Sequence, residues 1–279
     1  MELPPGYERV EVDGVTLVVQ AAAREVLLAA GIDDPPGLVA RSPASQRGRA
    51  ALGAVELPDG RALVRPLTRG GLLGKVVQRR SLDAERSLRE LRVSVGAAQR
   101  GARVLEVLAA VTKPVGVGYE HAVVTREVPG ARDLLAVLRQ ERGDVRRRAL
   151  AEAGEAIRLL HEAGVDHVDL NVKNVLFDAE GRALVIDLDR CTLGEAPAPW
   201  GVRRSNLARL LRSWTKVAAA DPGAIEVRDP LRVARAYANG DADVRAKLRA
   251  LGAASTFPWR RLWWSLKPPR LAPSPEPNP

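Results

Sequence analysis

Residues 167–189 read HVDLNVKNVLFDAEGRALVIDLD, and this stretch says more about function than the rest of the chain combined. Within it Asp169, Asn174 and Asp187 stand at the H-x-D-x-x-x-x-N and later-Asp spacing of phosphoryl transfer. In that pattern Asp169 meets the hydroxyl to be phosphorylated. Asn174 meets a magnesium ion, and Asp187 holds magnesium against nucleotide phosphates. Such chemistry asks little covalent help from protein. It needs carboxylates and an amide fixed around metal and phosphate, so that charge is neutralised while nucleophile and leaving group stay in line.

The flanking residues predict the rigidity. Val175-Leu176-Phe177 and Ala183-Leu184-Val185-Ile186 are short runs of strand formers, separated by the turn signal Asp178-Ala179-Glu180-Gly181. A hairpin here brings Asn174 and Asp187 to one edge, a hard-oxygen set suited to Mg²⁺ with phosphates and water. The competing reading is a solvated helix-to-hairpin connection, which does not account for the agreement between motif and predicted context.

The chain has 279 residues, 46% of them hydrophobic, enough for one two-lobed domain. Its single cysteine, Cys191, excludes a disulfide framework and a cysteine-rich zinc site. The opening Met1-Glu2-Leu3-Pro4-Pro5 lacks the basic-then-apolar pattern of a signal peptide. No apolar run of about twenty residues predicts a membrane span. The net charge of +9 is uneven. From Arg190 onward sixteen Lys/Arg face seven Asp/Glu, whereas the residues before it balance at twenty-seven each. That half suits phosphate-bearing partners: an anionic membrane, an acidic glycolipid or nucleic acid. A solubilising surface is the plainer alternative.

Alternation over 7–20 around Asp13-Gly14 predicts a hairpin, and 21–30 a short helix stopped by Gly31. Pro35-Pro36-Gly37 reads as a break. Strands follow near 50–57 and 61–67, then a helix near 83–99, then strands at Leu105–Ala110 and Ala122–Glu127. Beyond a connector near 128–132 the chain turns mostly helical, with helices over 146–163 and 205–216. This is an α+β, bilobal protein-kinase-like layout with a β-rich N-lobe and a mostly helical C-lobe. The expected divisions are 1–127 for the nucleotide-binding lobe, 128–256 for the catalytic lobe, and 257–279 for a basic, aromatic segment with a Pro-rich disordered tail. His167 is expected to brace the loop, and His161 to pack within its helix.

Nucleotide contacts are thinner. Ser45-Gln46-Arg47-Gly48-Arg49 offers one glycine, Gly48, for a phosphate-covering turn. In Ala62-Leu63-Val64-Arg65 an arginine stands where a lysine is usual; it keeps the cation and binds phosphate as a fork. Glu90 is its expected partner, with Glu85 the rival. Gly70–Lys75 looks like a P-loop, but its spacing is short and Val76 replaces the Ser/Thr that binds magnesium.

Val64-Arg65-Pro66-Leu67-Thr68-Arg69-Gly70-Gly71 resembles the V-x-R-x-x-R-R-G-G stretch of bacterial 3-deoxy-D-manno-octulosonic acid (Kdo) kinases. His167-x-Asp169-Leu170-Asn171-x-x-Asn174, Ile186-Asp187-Leu188-Asp189-Arg190 and Asn206–Ser213 are similar to three further motifs of this lipopolysaccharide kinase family, in the same order over roughly 45–216. The resemblance implies ATP- and Mg²⁺-dependent phosphorylation of a Kdo hydroxyl in the lipopolysaccharide inner core. It implies Kdo-lipid A as partner and peripheral placement at the cytoplasmic face of the bacterial inner membrane. Leu188 stands where the family has Phe, and Cys191 where a small residue is usual. From about 220 the resemblance fades.

Asp189 is expected to salt-bridge Arg190 or cap the next helix ahead of binding metal. Arg209, Arg212 and Lys216, with Arg203 and Arg204, could hold the acid groups of a sugar or form a solvated helix face. Phe257–Arg270 carries three tryptophans and four cations within fourteen residues, which favours an anionic lipid surface over a docked terminal helix. Nucleic acid is not expected, because the aromatics cluster at one end. The rival classes are an aminoglycoside- or choline-type kinase, which would want an acidic acceptor pocket, and a membrane-associated pseudokinase adaptor.

Overall fold

The computed structural model describes residues 3–43, 52–67 and 80–253. The N-terminal part is an antiparallel sheet. Tyr7–Val12 (β1) pairs with Val15–Gln20 (β2) across the Asp13-Gly14 turn, as the alternation predicts. A short 3₁₀ turn leads into Arg24–Ala29 (α1), and Pro35–Arg41 forms α2. Gly53–Leu57 (β3) and Gly60–Pro66 (β4) form the second hairpin, followed by the short Arg80–Ser81 (β5) and the helix Arg86–Gln99 (α3). Val107–Val115 (β6) and Gly118–Arg126 (β7) complete a sheet of order β1-β2-β6-β7-β4-β3, with β5 on β7.

The period-2 pattern builds two cores on this sheet. Leu17, Val19, Val64, Leu108 and Val124 bury one face under Leu27 of α1 and Leu38 of α2. Val18, Val107, Ala110 and Val123 point the other way, against Leu88 and Leu91 of α3. The expected break at Pro35-Pro36-Gly37 is the first turn of α2. Proline there gives up an amide that has no helical partner, and its fixed φ suits the helix.

The rest is largely helical. Arg132–Asp133 (β8) leads into Leu134–Gln140 (α4), whose N-cap Asp133 accepts a hydrogen bond from the Ala136 amide at 2.7 Å. Gly143–Glu162 (α5) is the spine, ending before Gly164, whose φ of +88° gives the left-handed stop. Val165–Asp166 (β9), the hairpin Val175–Phe177 (β10) and Ala183–Val185 (β11), and Thr192–Leu193 (β12) carry the polar loops. Trp200–Ala220 (α6), Asp229–Ala238 (α7) and Ala242–Ala253 (α8) close the lobe. Helix α5 meets α7 at Gly154, where a Cβ would sit 2.4 Å from the Val233 carbonyl oxygen, so only glycine permits that approach. About two turns earlier on α5, Arg146 pairs with Asp229 of α7, and the two, 1% and 0% exposed, form a buried ion pair joining the helices.

Among the described residues no helix is long and apolar enough to cross a membrane. Gly48, the Thr68–Gly71 part of the resemblance, the rejected Gly70–Lys75 stretch and the segment 257–279 lie outside the described residues.

Candidate active site

The β10–β11 hairpin sets the geometry. Val175 pairs with Val185, and the Ile186 amide donates to the Asn174 carbonyl at 3.0 Å, so the ladder runs one step past both strands. Asn174 and Asp187 therefore leave the hairpin at the same end. Asp187 has φ of +67°, a left-handed conformation that bends the chain out of the strand. The hairpin is anchored on both sides: Leu176 pairs with Asp133 of β8, and the Val185 amide donates to the Arg103 carbonyl at 2.8 Å.

The loop before it is held from inside. The His167 Nε2 lies 3.1 Å from the Ile186 carbonyl oxygen, which can only accept, so Nε2 carries the proton. That leaves Nδ1 to accept from the Asp169 amide at 3.3 Å. Burial lowers the pKa of His167 and keeps this neutral tautomer. His167 is thus a brace between the loop and the Asp187 segment, as its position predicts. Below it, buried Asn206 of α6 accepts from the His167 amide at 2.7 Å and donates to Asp166 at 2.7 Å. His161 lies 3.2 Å from the same Asn206 oxygen and 2.8 Å from the Tyr237 hydroxyl, and burial pushes it down to about 3. It is the packed helix residue expected.

Asp169 itself is held through its backbone. Its carbonyl accepts from the side-chain amides of Asn171 and Asn174, each at 2.9 Å. Its carboxylate is exposed and makes no hydrogen bond among the described residues. Since a carbonyl can only accept, the nitrogen of Asn174 must face Asp169, and Oδ1 is turned away from it. That oxygen and the Asp187 carboxylate are hard donors of the kind magnesium takes. Among the described residues no group of three or more His, Cys, Asp or Glu could hold a metal. The donor set fits an ion that keeps waters and binds through one carboxylate plus phosphates.

On the sheet side, Arg65 of β4 donates to Glu90 of α3 at 2.5 Å and reaches Asp187 Oδ1 at 3.8 Å. Glu85, the rival, pairs with Arg92 at 3.5 Å. Glu90 is 4% exposed, and burial pushes its carboxyl up to about 7 against the pull of Arg65. One helical turn before it, Arg86 forms a two-pronged pair with Asp189, Nε donating at 2.9 Å. A salt bridge to Arg190 or a cap on the next helix was expected of Asp189; its pairing is instead a tertiary one, with Arg86 of α3. Cys191 is buried and its thiol is pushed up to about 12, which makes it unreactive at neutral pH.

Asp169 opens onto a cleft of about 710 Å³ that, among the described residues, is lined by the helical lobe. Arg209, Arg212 and Lys216 line it as the helix spacing suggests, joined by Arg139 and Lys173. Arg203 and Arg204 do not line it. The sequence reading missed Arg139 and Lys173, which lie on different elements and share no local pattern.

The lipopolysaccharide kinase (Kdo/WaaP) family matches residues 37–237, past the point near 220 where the resemblance faded. A 3-deoxy-D-manno-octulosonic acid kinase of Stenotrophomonas maltophilia (strain R551-3) is 32% identical over 201 residues, 70% of this chain and 78% of that protein. That of Xylella fastidiosa (strain M12) is 33% identical over 199 residues, again 70% and 78%. That of Vibrio parahaemolyticus serotype O3:K6 (strain RIMD 2210633) is 32% identical over 176 residues, 62% and 72%. Among solved structures, WaaP in complex with acyl carrier protein superposes with a TM-score of 0.55 over 90% of this chain and 99% of that one, at 21% identity, a likeness of fold.

Proposed function

The chain belongs to the lipopolysaccharide kinase (Kdo/WaaP) family, and from that premise we propose that it phosphorylates a Kdo hydroxyl of the lipopolysaccharide inner core with ATP. The relatives' activity supports the acceptor, and the asymmetric charge supports an anionic membrane surface as the place of work.

Asp169 accepts the proton of the acceptor hydroxyl as that oxygen attacks the γ-phosphorus and the bond to the ADP oxygen breaks. Its role rests on an exposed carboxylate whose backbone is pinned by Asn171 and Asn174. Arg65, oriented by Glu90, faces the nucleotide phosphates, and the nucleotide-binding lobe spans 1–127 with the catalytic lobe beginning at 128. Asn174 Oδ1 and Asp187 would hold magnesium, which supplies neutralisation of phosphate charge. His167 holds the loop in register with Asp187 and moves no proton.

The observation that carries this reading is the shared end of the hairpin, from which Asn174 and Asp187 both emerge beside Asp169. The test is label transfer from γ-labelled ATP, with Mg²⁺, to Kdo-bearing lipid A, beside an aminoglycoside and choline. Label on the lipid alone is expected. Label on the soluble alcohols alone would contradict the acceptor, and a protein that binds no ATP would be an adaptor.

A further inference from the structure

The cleft in front of Asp169 carries cations in two conditions. Arg139 donates to Asp221 at 2.9 Å, and Arg209 donates to the Ser205 hydroxyl at 2.8 Å. Lys173, Arg212 and Lys216 are exposed, and their charged side-chain groups have no ion-pair or hydrogen-bond partner among the described residues. Arg212 and Lys216 are one helical turn apart on α6, about 6 Å along its axis. Lys173 lines the same cleft from the loop that holds Asp169.

The offset between these cations and Asp169 is fixed. Between Arg212 and Lys216, the Ser213 hydroxyl accepts from the Val172 amide at 3.2 Å and donates to the Leu210 carbonyl at 2.7 Å. The loop and α6 are therefore tied at the floor of the cleft. Among the described residues only two carboxylates line it, Asp169 and Asp221, and Asp221 is already paired with Arg139. The volume suits a sugar with its substituents. Arg65, Glu90, Asn174 and Asp187 do not line it.

Building on the proposed kinase activity, we infer that Arg212 and Lys216, with Lys173 of the neighbouring loop, bind an acid group of the acceptor and so set its hydroxyl against Asp169. The group is a carboxylate or a phosphate monoester: both match the planar fork of arginine beside the point charge of lysine. The acceptor is then chosen by charge at a fixed distance from the reacting hydroxyl, and a neutral sugar binds more weakly because it displaces water from these cations without supplying a counter-charge.

The test is equilibrium binding of three probes: Kdo-bearing lipid A, its Kdo methyl ester, and the lipid with its phosphates removed. Wild type, R212Q, K216Q, the double variant, R212K and R148Q, an exposed α5 cation outside the cleft, are compared, with label transfer read in parallel. Each Gln variant is expected to bind the intact probe about tenfold more weakly. R148Q should match wild type, and R212K should recover part of the loss. The ester or the dephosphorylated lipid, whichever lacks the recognised group, should bind wild type as weakly as the intact probe binds R212Q. Equal binding of the intact probe by wild type and the double variant overturns the inference, even if label transfer proceeds. Binding that depends on Arg212 without label transfer upholds the site and sinks the Kdo kinase reading. Wild type that binds none of the probes overturns both.

Discussion

Arg65, Glu90, Arg86 and Asp189, on the wall built by β4, α3 and the chain after the hairpin, are tied together in two ion pairs. Lys173, Arg212 and Lys216, on the wall built by the Asp169 loop and α6, have no such partner among the described residues. Burial explains the difference. Glu90 is 4% exposed and Arg86 and Asp189 are 14% exposed, so their charges must be met within the protein. The α6 cations stay in water and cost the fold nothing. Paired charges on one wall hold α3 and Arg65 in place, while the charges on the other are exposed to water.

Four changes test how far that contrast goes. The largest effect belongs to the most buried pair, Arg146–Asp229. Asp229→Ala strands a guanidinium 1% exposed and should cost about 3–5 kcal/mol in urea unfolding. A loss below about 1 kcal/mol would show that burial does not set the value of these pairs.

Next comes Glu90→Gln, which keeps the shape of α3 but releases Arg65. Its second oxygen is buried without a hydrogen-bond partner, so Arg65 is its main anchor. We expect kcat/KM for ATP to fall about 100-fold with the fold intact, the scale of a misplaced group. Unchanged kinetics would detach this pair from nucleotide chemistry.

Arg86→Met removes the second clamp on α3. Because both partners are partly hydrated, the expected loss is about 1–2 kcal/mol, with a rise in KM for ATP. A rise in the acceptor KM alone would move the clamp to the other wall.

The smallest effect is one of pH. His161 is held down to about 3 by burial, against roughly 6.5 in an unfolded chain. As pH falls below about 6.5 the unfolded chain takes up this proton first, so stability from neutral His161 declines with falling pH. Glu90, raised by burial, works in the opposite sense, losing stability as pH rises from about 4.5. The difference between wild type and His161→Gln isolates the histidine. Wild type should lose about 1 kcal/mol more than the variant between pH 7 and 5.5. Parallel pH profiles would place a charged His161 in the folded state.

The hairpin and its polar ends were legible because the motif spacing and the strand–turn–strand pattern agree over a few residues. The Glu90 partner was legible from helix position. The α2 helix was not, since Pro35-Pro36 signals a break as readily as a first helical turn. Strands β6 and β7 run past their apolar stretches because Lys113, Pro114, Tyr119 and Glu120 continue the ladder where the pattern turns polar. Arg86–Asp189 spans 103 residues and leaves no local trace. Asn206 looked like one polar residue in a helical motif. Its role in carrying His161, His167 and Asp166 together is visible only once three elements meet.

The central claim is that Asp169 takes the acceptor's proton while the surrounding residues hold the nucleotide independently of it. Single-turnover transfer from ATP to Kdo-bearing lipid A, measured beside ATP affinity for wild type and Asp169→Asn, tests it directly. Transfer should fall by about 10²–10⁴ with ATP affinity within about twofold of wild type. Transfer at the wild-type rate would contradict the account.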